Sequence, residues 1–80
     1  MKVGTQGRYI PTGVEQGAEP GGCGDGFGPG WLCTVVSYPQ GGGGGPANLI
    51  VVRPSGTDFV KTLVTQAGSA GSAQPGQFYV

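Results

Sequence analysis

Gly41 to Gly45 form an unbroken run of five glycines, and Pro46 and then the aliphatic run Leu49–Val52 follow directly. Glycine loses more backbone freedom on folding than any other residue, so this run reads as a loop. Pro46 ends the slack and hands the chain on in extended form. A phosphate cradle needs a helix after its glycine loop. Here "ANLIVVR" follows instead, and it reads as a strand. As a hairpin connection "PQGGGGGP" is longer than strand pairing requires. A bare, neutral backbone suits a loop that presses against a neighbour.

The same bias runs through the chain. Glycine supplies 19 and proline 7 of 80 residues, about a third, against an average nearer one in eight. A chain this short holds one domain and buries a small share of its surface. So glycine-rich a chain is expected to gain part of its structure from a partner. Four basic and four acidic residues give no net charge, and Lys2, Arg8, Arg53 and Lys61 are scattered singly. Nucleic-acid binding needs clustered cations, so it is not expected. No apolar stretch follows Met1, and Leu49–Val52 is too short to span a bilayer. The expectation is a soluble chain made in the cytosol, with no membrane partner.

Residues 1–30 hold ten glycines and few large apolar side chains, with neither strand nor helix period. They read as an extended glycine-rich arm, with at most a short extended piece around "GRYIPTG". Residues 31–80 read as a small β domain. "WLCTVVSY", Trp31–Tyr38, is aromatic and β-branched between Gly30 and Pro39. Ala47–Arg53 is a second strand. Both are apolar on consecutive positions, so both faces are expected to be covered. "PSGT" at 54–57 is turn chemistry. Residues 58–67 fit two readings. Val60, Thr62, Val64 and Thr65 favour a strand completing a hairpin, whereas Val60, Leu63, Val64 and Ala67 fit a helical template. Turn length and β-branching favour the strand. Residues 39–47 and 67–77 read as flexible loops, and "FYV" at 78–80 as a terminal strand docked against something. The fold class is mainly β: a small antiparallel module of three to five short strands, sandwich- or barrel-like.

The chemical inventory is thin. Without histidine the commonest base and metal ligand are missing. Cys23 and Cys33 cannot make a four-ligand zinc site, and they read as reduced thiols, Cys33 a small strand hydrophobe. Glu15, Glu19, Asp25 and Asp58 read as isolated solvated charges, because Gly17, Pro20 and Gly21 disfavour a helix that would join the first two. No catalytic residue, metal site or cofactor is expected. The aromatic residues read as core or interface anchors, and Tyr9, Ile10, Phe27, Trp31, Tyr38, Phe78 and Tyr79 are the candidate partner-contact residues.

In glycine content, neutrality and size the whole chain resembles the small glycine-rich decoration or cement proteins of bacteriophage heads. That resemblance is compositional. It implies a compact β module with an arm draped over neighbouring subunits, and a non-enzymatic structural role in a virion assembled in the host cytoplasm. The implied partners are the major capsid or other virion proteins, with many copies in a symmetric assembly. Edge pairing and aromatic anchors would supply weak contacts that avidity multiplies. The alternative is a small soluble β-rich binding module or adaptor that folds independently.

Overall fold

The computed structural model describes residues 3–18, 30–41 and 45–80. Five strands close into a barrel in chain order. They are β1 (Gln6–Tyr9), β2 (Trp31–Ser37), β3 (Ala47–Val52), β4 (Asp58–Gln66) and β5 (Gln77–Tyr79), with a one-turn helix α1 (Gly13–Gln16) between β1 and β2 and a 3₁₀ turn (Ala70–Ser72) before β5. The first four strands are an antiparallel meander. β5 then pairs antiparallel to β1 and parallel to β4, which closes the circle. The sheet is therefore mixed rather than purely antiparallel.

Strand pleating puts alternate side chains on opposite faces, and the core follows from that. Trp31, Cys33 and Val35 from β2, Ala47, Leu49 and Val51 from β3, Val64 from β4, Tyr9 from β1 and Phe78 from β5 form one buried cluster. Phe59 packs on it edge-on, its ring 6.4 Å from both Tyr9 and Trp31, and Arg53 lies 4.3 Å over its face. The β3–β4 turn is closed by the Arg53 N–H donating to the Thr57 carbonyl at 2.8 Å, with Gly56 at φ +96°. Residues 58–66 are strand, in agreement with the reading from β-branching.

Residues 3–18 are not an arm. Gly7 pairs with Cys33 and Tyr9 with Trp31, so β1 is a wall of the barrel, and Tyr9 and Ile10 are buried. The ladder continues past β1 on both sides. The Val35 N–H donates to the Thr5 carbonyl (2.9 Å), the Ile10 N–H to the Gln77 carbonyl (2.8 Å) and the Gly76 N–H to the Ile10 carbonyl (2.7 Å). Glycine is what permits this seam. A Cβ on Gly7 would collide with the Tyr79 carbonyl oxygen of β5. Gly30, at φ +81°, lets the chain turn into β2 against the Tyr9 carbonyl, which would lie 2.8 Å from a Cβ there. The remainder of the expected arm, 19–29, lies outside the described residues, as do positions 42–44 of the glycine run.

Two further expectations change. The 67–77 connection holds a 3₁₀ turn in which the Ser69 N–H donates to Ser72 Oγ (3.1 Å), and Ala73 is buried. The chain end docks on its own barrel, with the Ala67 N–H donating to the Phe78 carbonyl at 2.7 Å.

Candidate interaction face

β2 and β3 are apolar on both faces, yet only one face is covered. Leu32, Val36, Ile50 and Val52 point outward and are exposed, as are Val60 (66%) and Leu63 (54%) on β4. The registers place them in rows across three strands. Val52 lies beside Asp58 and Leu32 beside Arg8, and Thr34, Ile50 and Val60 lie side by side. The result is an exposed aliphatic surface centred on Ile50, its first row bordered by Arg8 beside Leu32 and by Asp58 beside Val52. An exposed apolar patch of this kind is the usual mark of an interaction site.

The third row is built by two β-bulges. The β2–β3 register slips between Val35 and Ser37, and the β3–β4 register slips between Ala47 and Leu49. Asn48 sits opposite both. Its Nδ2 donates to Ser37 Oγ (3.1 Å), and its Oδ1 accepts from the Leu63 N–H (3.1 Å). The extra residues, Val36 and Leu63, are the ones pushed outward. Leu63 has φ +53°, the one positive φ at a non-glycine among the described residues. A branched aliphatic residue held there is strained by about 1–2 kcal/mol. Bulges re-aim side chains, and here one asparagine holds a pair that adds two aliphatic side chains to the face.

A polar clamp lies elsewhere, where α1 meets β4. Thr12 caps α1. Its Oγ1 accepts from the Glu15 N–H (3.2 Å) while Glu15 Oε1 accepts from the Thr12 N–H (2.9 Å). The same carboxylate accepts from the Tyr9 hydroxyl (2.5 Å) and, through Oε2, from Lys61 Nζ (2.8 Å). Burial opposes charge on Glu15, but the bonds from Lys61, the Thr12 backbone, Tyr9 and Thr12 Oγ1 outweigh it, and its pKa falls to about 2. Burial, then the hydrogen bond to that carboxylate and its charge, push the Tyr9 phenol well above its usual range. Glu15 is therefore no isolated solvated charge, and the Thr12-x-x-Glu15 spacing of a capping box was its sequence signature. Burial pushes the free Cys33 thiol up to about 11, partly offset by the Gly7 N–H and by Arg8.

The candidate contact residues separate accordingly. Tyr9, Ile10, Trp31 and Phe78 are core side chains with almost no exposed surface. They anchor this chain to itself, because β1 and β5 are strands of the barrel rather than free segments. Tyr38 and Tyr79 are half-buried, Tyr38 against the core. Phe27 lies outside the described residues, with Glu19, Cys23 and Asp25. The outward residues of β2–β4 are instead the ones that a reading of consecutive apolar positions assigns to the core.

Neither a known protein family nor a known protein or solved structure matches the chain.

Proposed function

We propose that this chain is a non-enzymatic structural module that packs, in many copies, into a larger assembly through the outer face of β2–β4. A bacteriophage particle, as a decoration, cement or minor virion component, is the setting that the composition suggests, with capsid subunits as neighbours. The observation that carries the reading is the exposed, uncharged aliphatic surface around Ile50, with a strained Leu63 retained at its border. A non-enzymatic role is supported by where the perturbed groups are spent. Glu15 is bonded through both oxygens, Tyr9 Oη is tied to Glu15, and Cys33 is sealed in the core.

The closed barrel favours a second element of the reading. A nine-residue core shared by all five strands supports a module that folds independently before it docks, so the adaptor-like property and the assembly role combine in one molecule. Gradient sedimentation of the endogenous protein, in extracts of the cells that make it, tests the role. Migration with a particle of many subunits is expected. Recovery solely as a free species of one or two chains would contradict it.

A further inference from the structure

Independently of the assembly role, we infer that the open edge of β4 pairs with the same edge of a second copy, antiparallel, about a two-fold axis perpendicular to the sheet at Val60. β4 pairs with β3 from Asp58 to Val64, but with β5 only at Thr65 and Gln66. The Arg53 N–H donates to the Thr57 carbonyl, and backbone groups alternate sides along an antiparallel ladder. Bonds to β3 therefore leave from Phe59 and Lys61, and the N–H and C=O of Asp58, Val60 and Thr62 point the other way. Among the described residues nothing bonds to them there. Unpaired edge backbone is a template for another strand, and natural edges are blunted by lysine. Here Lys61 is turned back onto its own chain, its Nζ 2.8 Å from Glu15 Oε2. Val60, at the centre of the open stretch, is aliphatic and exposed.

The edge complements itself in one register, and this names the occupant. With the axis at Val60, Val60 meets Val60 and each Asp58 meets Thr62 of the second copy. Two bonds in each of these three rows make six, and every free group is used. Side chains agree with the backbone. A β-branched pair lies at the centre, and no like charges stand directly opposite, which is the arrangement that stabilises cross-strand neighbours. Phe59 lies opposite Lys61 of the second copy, which arrives already paired with Glu15. Neighbouring registers are worse. An axis at Lys61 or at Asp58 sets like charges face to face, and one at Phe59 makes four bonds and leaves Thr62 bare.

Main-chain bonds rather than area carry this contact. Specific interfaces hold about ten direct hydrogen bonds, with wide spread, so six with little side-chain burial give a weak, reversible pair. An axis perpendicular to the sheet keeps both aliphatic faces on the same side, still exposed. Pairing at the edge and docking through the face are therefore compatible.

Amide hydrogen exchange and sedimentation velocity on the purified chain, from micromolar to millimolar concentration, test the inference together. A reversible dimer is expected at the high end, with the Val60 and Thr62 amides exchanging freely in the monomer and protected in the dimer. Val60→Lys, which sets two ammonium groups opposite each other, is expected to raise the dissociation constant at least tenfold. Val3→Lys, ahead of β1 and beside β2, leaves it unchanged. Circular dichroism checks both folds, and if Val60→Lys does not fold, the wild-type amides decide alone. In a Cys23→Ser background, Val60→Cys is expected to form a disulfide dimer, and Asp58→Cys to cross-link to Thr62→Cys but not to itself. A chain monomeric at millimolar concentration overturns the inference, whether the two amides exchange freely or are already covered by the chain itself. A dimer in which they stay unprotected also overturns it, because another surface then makes the contact. A chain that pairs at this edge but is found in cells only as a free dimer keeps the inference and loses the assembly role.

Discussion

The inner and outer faces of β2 and β3 carry the same kind of side chain. Trp31, Cys33, Val35, Ala47, Leu49 and Val51 point in; Leu32, Val36, Ile50 and Val52 point out. Composition does not separate the two sets. What separates them is closure: β1 and β5 complete a barrel that can cover one face of each strand and no more. The inner face holds the fold together, and the outer face is left as surface that the fold itself does not use. Two strands that look doubly buried therefore divide their apolar residues between the core and exposed surface.

The sharpest way to break this comparison is to replace one side chain on each face. Trp31→Ala removes the largest buried side chain and is expected to cost about 3–5 kcal/mol in denaturant unfolding. Ile50→Lys, one strand away and facing out, should change the isolated chain's stability by less than about 1 kcal/mol. Comparable losses for the two would mean that the outer face is not free surface.

The seam that closes the inner face comes next. Gly7→Ala forces a methyl group onto the Tyr79 carbonyl. Overpacking of this kind destabilises by about 1–3 kcal/mol. Thermal unfolding should show the loss, and amides at the β1–β5 seam should exchange faster than those of β3.

The Glu15 clamp sharpens the comparison by pH. Its folded pKa of about 2 lies below the ordinary value of 4.5. Its contribution is therefore fully present above about pH 4.5 and is lost as pH falls toward 2. With Lys61 partly exposed, solvent screening limits the effect to about 1–2 kcal/mol. Glu15→Gln should flatten the wild-type stability slope across that interval, and an unchanged slope would show that the clamp does not hold α1 to β4.

The smallest expected effect is at Leu63. Leu63→Gly relieves the left-handed strain but adds freedom to the unfolded chain, for a net gain of about 0.5 kcal/mol in urea unfolding. Its loss from the endogenous particle at unimpaired stability would then separate the proposed contact from the residue's role in folding. A clear loss of stability would place Leu63 among the residues that hold the sheet.

How legible this was from residues alone differs element by element. β2, β3 and β4 are dense in β-branched and aromatic residues between turn residues, so they are readable. β1 is four residues long with a glycine inside it. The glycine looks like loop chemistry, yet its missing side chain is what lets β5 approach. The one-turn helix was legible only in Thr12-x-x-Glu15, because Gly13 and Gly17 mask it. The exposed aliphatic face was hidden because period-two alternation disappears when both faces are aliphatic. Asn48 gives no sequence sign that it stands between two bulges, since its role depends on registers that only pairing fixes.

The central claim is that β1 and β5 close a barrel that stands alone and leaves the β2–β4 exterior uncovered. Amide hydrogen exchange on the isolated monomer at low concentration tests it most directly. The account predicts protection at Ile10, Gly76 and Ala67, whose N–H groups bond across the β1–β5 and β4–β5 junctions, approaching that of the β3 amides. Free exchange at those three positions, with protection confined to β2–β4, would show an open sheet with β1 as an arm and would contradict it.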